Sequence, residues 1–155
     1  MAVPFVSFGK NYDAVCADAA AYFGIDADEY EVHLEKGRVL NAAGEEVNGT
    51  FNVELDGQAN GVYIIRAQKS FSRPWTIATI FHEFAHAAQH KYNLDLGTRT
   101  REQHAELLAF NTLWRSGYWW NATHMLFIHT LHLKPSDYLA PAALWTAVFT
   151  GAKTV

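Results

Sequence analysis

Hydrophobic positions near the start of the chain recur with the period of a helix. Tyr12–Phe23 carries its apolar side chains on one stripe, which is typical of an amphipathic helix. Asn11 is placed to cap the first turn and Gly24 to end the last one. Cys16 lies on the apolar stripe, so we expect it to be a small buried hydrophobic residue.

The period then changes to that of strands. Tyr30–Glu35 and residues 50–55 alternate apolar and polar positions, whereas residues 62–65 are almost continuously apolar. Asn-Gly pairs precede the second and third of these runs and favour turns. Short connections of this kind predict neighbouring strands of one small, three-stranded, mostly antiparallel sheet.

A long helix is predicted directly after the strands. Pro74 suits a first-turn position, where its missing N–H costs nothing. Ile77, Phe81, Phe84 and Ala88 follow at i, i+4, i+7 and i+11, which places them on one face of a helix. This face is predicted to pack into the core, leaving the opposite face for other contacts.

The remaining chain is also predicted to be helical. Thr100 followed by Gln103 looks like a capping box and predicts a helix over about 101–115. The aromatic segment 118–132 predicts a further helix, and a last one is predicted over about 141–150. The order of helix, three strands and then helices indicates an α+β fold.

Composition narrows the class of protein. The 155 residues, 50% hydrophobic and 18% charged, suit a single globular domain spanning 1–155. The net charge is −4 and there is no basic run, so we expect neither nucleic acid nor a membrane as partner. One cysteine, no signal peptide and no membrane-spanning run of apolar residues predict a cytoplasmic location.

The predicted long helix contains the pattern HExxH at residues 82–86. Side chains at i and i+4 lie on one face of a helix, so His82 and His86 can direct an imidazole nitrogen at the same ion. Zinc is the usual occupant, and Glu83 beside it can act as general base on zinc-bound water. The alternative is that two surface histidines flank an unrelated glutamate.

Catalytic zinc usually takes three protein ligands, so a third must come from elsewhere. The candidates are His90, Glu102, His104 and Glu106. We do not expect His90, because three successive turns of a straight helix cannot converge on one ion and the glycine of HExxHxxGxxH is missing. Glu102 and Glu106 lie one turn apart, so one can bind zinc while the other hydrogen-bonds a zinc-bound histidine. The alternative is that both are ordinary solvated glutamates.

With these features the sequence resembles the gluzincin metallopeptidases, and among them the ImmA/IrrE-type peptidases of bacteria, phages and mobile elements. The second motif of that family reads approximately E-x-x-A-x-x-F-A. Residues 102–109 read E-Q-H-A-E-L-L-A and match it with Leu in place of Phe. The resemblance implies a zincin-like fold, Glu102 as third ligand and Glu106 as the carboxylate that hydrogen-bonds a zinc-bound histidine. It covers about residues 61–114 by motif, and the last forty or so residues match nothing in the family.

The resemblance further implies zinc-dependent endopeptidase activity on a protein or peptide substrate, which would bind extended along a sheet edge. Candidate donors to the transition state are Tyr92, His104, His124, His129 and His132. The alternative function is a non-proteolytic zinc-containing structural or binding module, for example in a phage or mobile-element assembly. Hydrolysis of a cell-wall peptide is a third possibility. Oligomeric state and the need for an activator are not encoded in any motif.

Overall fold

The structure, a computed structural model, describes residues 4–37, 39–41, 43–53, 62–70, 72–94 and 97–128. Within them the elements are α1 (Tyr12–Phe23), a 3-10 turn (Ala27–Glu29), β1 (Tyr30–Glu35), β2 (Val39–Leu40), β3 (Glu46–Val47), β4 (Gly49–Val53), β5 (Tyr63–Gln68), α2 (Arg73–Lys91), α3 (Thr98–Arg115) and α4 (Trp119–Ile128). The α+β class is confirmed. The predicted helix at 141–150, together with His129 and His132, lies outside the described residues. No helix in the described part has the length and apolarity needed to cross a membrane.

The main sheet has three strands in the order β1-β5-β4. β5 runs parallel to β1 and antiparallel to β4, so the prediction of a mostly antiparallel sheet was wrong and the sheet is mixed. The nearly continuous apolar run takes the central place, with Tyr63, Ile65 and Ala67 buried. This fits the general tendency of the most apolar strand to be covered on both faces. β2 and β3 form a small separate antiparallel pair that the pattern did not predict.

α2 is the central element of the fold, since it packs against α1, α3, β4 and β5. Its predicted apolar stripe is confirmed, because Ile77, Phe81, Phe84 and Ala88 are all completely buried. Burying each of the larger side chains contributes about 1.5–3 kcal/mol. The stripe therefore fixes the rotation of α2 about its axis, and with it the direction in which the opposite face points.

Local signals at the helix ends were accurate for α1 and α2 but not for α3. Asn11 accepts a hydrogen bond from a first-turn N–H, and Gly24 ends α1 with a left-handed φ of 68°. Pro74 lies in the first turn of α2. α3, however, starts at Thr98 with no side-chain cap, so the capping box predicted at Thr100 was wrong. The helix simply begins earlier than the local pattern indicated.

Candidate metal centre

Two imidazole rings meet on the face of α2 that turns away from the core. Nε2 of His82 lies 3.1 Å from Nε2 of His86. Their spacing of four residues places them one above the other on the helix. Each side chain is about one-sixth exposed, at 16% and 14%, so the pair lies in a recess and not on the open surface.

α3 brings a carboxylate to the same point. Oε2 of Glu102 lies 3.2 Å from Nε2 of His82, and Oε1 lies 3.2 Å from Nε2 of His86. Glu102 is one-third exposed, so the cluster opens to solvent on this side. α2 and α3 pack along each other, which holds the carboxylate in place opposite the two rings.

The distances fit a tetrahedral ion. Zinc about 2.0–2.1 Å from each donor would space those donors about 3.3 Å apart, from tetrahedral geometry. The two Nε2 atoms lie 3.1 Å apart, and each lies 3.2 Å from one oxygen of Glu102, Oε2 for His82 and Oε1 for His86. One ligand atom from each of the three residues lies within 4.8 Å of the other two. Two imidazole nitrogens and one carboxylate are also ligands that zinc prefers, and they leave a fourth position open. The residues present therefore fit a zinc ion.

A glutamine fixes the tautomer of one ring. Nδ1 of His86 lies 2.9 Å from Oε1 of Gln89, and Nε2 of Gln89 donates to the carbonyl oxygen of Arg101 at 3.0 Å. Because the amide nitrogen is committed to that carbonyl, the amide oxygen must accept the proton of Nδ1. The lone pair of His86 is then on Nε2, which faces the cluster. Gln89 is 2% exposed, so this arrangement is protected from water.

A carboxylate occupies the equivalent place beside the other ring. Oε2 of Glu106 lies 3.4 Å from Nδ1 of His82, and its side chain is 5% exposed. Glu102 and Glu106 thus contact opposite nitrogens of one ring. Burial alone would lower the pKa of His82, but these two carboxylates raise it to about 10. The centre therefore strongly favours positive charge, which a metal ion would supply.

Glu83 lies next to the cluster and faces strand β4. It is 6% exposed, and burial raises the pKa of its carboxyl group although His82 and His86 act in the opposite direction. A Cβ atom at Gly49 would lie only 2.9 Å from Oε1 of Glu83 and 2.8 Å from Cγ2 of Thr79. Glycine is therefore what allows β4 to approach α2 this closely. A buried carboxyl with a raised pKa is suited to proton transfer.

Tyr92, a candidate transition-state donor, and His90, a candidate ligand, both lie away from the cluster. The hydroxyl of Tyr92 donates to the carbonyl oxygen of Phe23 at 2.5 Å, which ties it to the end of α1. The ring of His90 packs edge-on against Tyr63, with centroids 5.8 Å apart. Neither residue belongs to the group of side chains that could hold an ion.

The other two described candidates differ in position. His104 follows Glu102 by two residues, which rotates it about 200° round α3 from the geometry of a helix. Burial lowers its pKa. His124 instead contacts Trp75, with ring centroids 5.9 Å apart, and Trp75 lies on the same face of α2 as the clustered histidines. Of the four described candidates, His124 is the one on the cleft side.

The sequence did not point to Gln89 or Gly49 as site residues. The only local signal for Gln89 is its position three residues after His86, within reach on the same helix. Gly49 was interpreted as part of a turn, and its closeness to Glu83 depends on how β4 packs against α2. Both roles arise from contacts between elements.

Within the described residues, one group of three His, Cys, Asp or Glu side chains could hold an ion, and it is formed by His82, His86 and Glu102. Comparison of the chain with protein-family models, with curated proteins and with solved structures finds no significant match.

Proposed function

We propose that the protein is a zinc-dependent peptidase with His82, His86 and Glu102 as metal ligands. The observation that carries this proposal is the convergence of two Nε2 atoms and one carboxylate within 3.2 Å of each other. Glu83 beside them provides a base that a purely structural metal site does not need. The resemblance to gluzincins of the ImmA/IrrE type supports the same ligands and a zincin-like fold.

The chain's own residues divide the chemical work. A zinc ion at this centre would polarise the scissile carbonyl and lower the pKa of the attacking water. Glu83 takes a proton from the water as its oxygen bonds to the carbonyl carbon, and passes it to the amine as the C–N bond breaks. Glu106 and Gln89 hold the two imidazole rings in orientation.

The sheet offers a place for an extended substrate. β4 is an edge strand of the described three-stranded sheet, and its first residue lies against Glu83. A peptide that added to this edge would gain main-chain hydrogen bonds and pass alongside the metal centre. This arrangement brings a peptide carbonyl, and not only a side chain, close to the base.

Metal content is the first test. Purified wild type offered zinc is expected to hold about one ion per chain, Glu102→Ala to lose it, and Glu106→Ala to bind it about tenfold to hundredfold more weakly. Glu31→Ala, an exposed glutamate on β1, is the control and should bind zinc like wild type. A wild type that stays free of zinc, or a Glu102→Ala variant that keeps it, would overturn the ligand assignment.

A structural zinc site is the second candidate, because the ion would link α2 to α3, two helices that pack along each other. Glu83→Gln separates the two functions. It should retain zinc and folding but lose all cleavage of a mixed peptide library, detected by mass spectrometry. If zinc-loaded wild type cleaves nothing in peptide and muropeptide libraries, the peptidase function is wrong. If Glu83→Gln cleaves as fast as wild type, Glu83 is not the base and the cleavage does not arise from the proposed mechanism.

A further inference from the structure

Aromatic side chains continue the face of α2 that carries the clustered histidines. Trp75 precedes His82 by seven residues and His86 by eleven, so all three point within about 20° of one direction on the helix. The ring of His124 lies 5.9 Å from that of Trp75, and the ring of Trp120 stacks on His124 at 6.4 Å with an interplanar angle of 22°. Trp75, His124 and Trp120 together form what we call the aromatic wall.

The aromatic wall is both supported and open to solvent. Trp75 is partly buried against the core, which fixes one end of the wall. Trp120 is 80% exposed, the highest value among the large hydrophobic side chains that the structure describes. Exposed aromatic surface of this kind is a common feature of binding sites, because indole rings bury much area at little conformational cost.

We propose that the aromatic wall is a substrate subsite that takes an aromatic or large apolar side chain of the peptide. This inference rests on the proposed function, since it treats the wall as an extension of the peptidase cleft. Trp75 lies about 10 Å along the helix axis from His82, at 1.5 Å per residue. An extended peptide covers that distance in about three residues. The preferred side chain is therefore about three residues from the scissile bond.

Charge favours a peptide over a nucleic acid as the occupant. The chain carries 16 acidic and 12 basic residues, so it has no excess of the positive charge that phosphodiesters require. The adjoining centre contains three of these carboxylates, Glu83, Glu102 and Glu106, and one divalent ion would offset only part of their negative charge. An uncharged side chain that stacks on an indole avoids this negative field, whereas a phosphate backbone would be repelled by it.

Peptide hydroxamates provide a probe that is anchored on the metal. Two series of glycine peptides are made, one with the hydroxamate at the C-terminus and one with it attached to the N-terminus. In each series a single Phe or Ala replaces glycine at one of the first five residues counted from the hydroxamate. Binding is measured on zinc-loaded wild type by calorimetry, so no cleavage is needed. In one of the two series, we expect the peptide with Phe at about the third residue to bind about tenfold more tightly than the peptide with Ala at the same position.

Two variants of neighbouring tryptophans complete the test. Trp120→Ala should bind the Phe and Ala peptides alike. Trp119→Ala should keep the preference, because Trp119 is also exposed, at 63%, but makes no ring contact among the described residues. Both side chains are on the surface, so neither change threatens folding.

The outcomes separate the subsite from the proposed function. If the Ala peptides bind but Phe brings no gain at any position, the subsite is wrong, and another part of the protein or a partner covers the wall. If no hydroxamate binds the zinc-loaded protein, the open metal position is wrong and the subsite fails with it. Loss of the preference in Trp119→Ala as well as in Trp120→Ala would also overturn the assignment to this wall.

Discussion

At the scale of single residues, the centre depends on side chains that orient the imidazole rings. Gln89→Leu removes the acceptor for Nδ1 of His86, so the ring can turn or adopt the other tautomer. We expect zinc affinity to fall about tenfold to hundredfold, the usual effect of losing such a partner. Competition with a chromophoric chelator measures the affinity directly.

The control variants separate this effect from a general loss of stability. Gln89→Glu keeps an acceptor for Nδ1 but loses the donor to the carbonyl oxygen of Arg101, so it should recover part of the affinity. Gln68→Leu makes the same change at the end of β5 and should leave zinc binding unaltered. If Gln89→Leu binds zinc like wild type, the tautomer of His86 is set by something other than this hydrogen bond.

The sequence was sufficient to predict the cluster and the carboxylate of Glu106 beside it, but not the contribution of Gln89. His82 and His86 are brought together by helix geometry alone, and the structure places Glu102 where the second motif predicted an acidic partner. Gln89 acts through the carbonyl oxygen of Arg101 on the next element, so no local pattern reveals it. Roles that a motif marks, such as those of Glu102 and Glu106, were therefore predictable even across two helices, whereas the role of Gln89, which no motif marks, was not.

At the scale of elements, the approach of β4 to α2 determines where Glu83 lies. Gly49→Ala would place a methyl group about 3 Å from both Glu83 and Thr79, so the base must shift. We expect zinc binding to persist while peptide hydrolysis falls about tenfold to hundredfold, as small misplacements of a catalytic group do. Stability should fall by about 1–3 kcal/mol from overpacking. Kinetic assays of zinc-loaded protein provide the measurement.

Gly37→Ala, in the connection between β1 and β2, is the matched control for Gly49→Ala. No atom lies within 4 Å of a Cβ at Gly37, so the same substitution is expected to be silent there. Hydrolysis by Gly49→Ala at the wild-type rate would mean that Glu83 is not held by β4, or that it is not the base.

A salt bridge fixes the C-terminal end of α2, at Lys91. Nζ of Lys91 contacts the carboxylate of Glu29 at 2.7 Å and the carbonyl oxygen of Gly24 at 2.8 Å. The hydrogen bond from Lys91 lowers the pKa of Glu29. Folding therefore makes this carboxyl release its proton more readily. The stabilisation is complete above the unfolded pKa, about 4.3, and is lost as the pH falls through the lower folded value.

Lys91→Met should consequently lower the free energy of unfolding by about 1 kcal/mol at pH 7, and by less at pH 3. Urea titrations of wild type and variant at both pH values measure the difference. Lys36→Met, at an exposed turn, should cost almost nothing at either pH. A cost that is the same at both pH values would show that Lys91 acts through packing and not through Glu29.

Element types were predictable from periodicity, whereas the sheet order was not. α1 and α2 were predicted because their apolar stripes and end signals are local. The pairing of β5 with β1 joins residues more than thirty positions apart, and short connections gave no hint that β5 would lie between β1 and β4. The parallel pair is decided by burial of the most apolar strand, which is a tertiary effect.

At the scale of the whole molecule, the proposed metal joins the two helices that carry most of the core. α2 supplies two ligands and α3 the third, and both helices pack against further elements. An ion that binds only the folded state stabilises that state by mass action, by about 2.7 kcal/mol when free zinc is one hundred times its dissociation constant. Zinc should therefore slow every process that requires global unfolding.

The reactivity of Cys16 offers a way to measure how much zinc slows global unfolding. The thiol is 5% exposed in the core, and burial, with a smaller contribution from the charge of Asp13, raises its pKa to about 12. Because the thiolate is the reactive form, iodoacetamide should modify the native protein only when the chain unfolds. At one hundred times the dissociation constant, zinc should slow this modification about a hundredfold.

Mass spectrometry of samples quenched over time gives the rate of modification with and without zinc. Glu102→Ala should react at one rate whether zinc is present or not, and urea-unfolded wild type should react equally fast in both conditions. A zinc-independent rate in folded wild type, alongside measured zinc binding, would show that Cys16 is exposed by a local opening of α1 that the metal does not control. The proposed ion would then stabilise the contact between α2 and α3 without stabilising the fold as a whole.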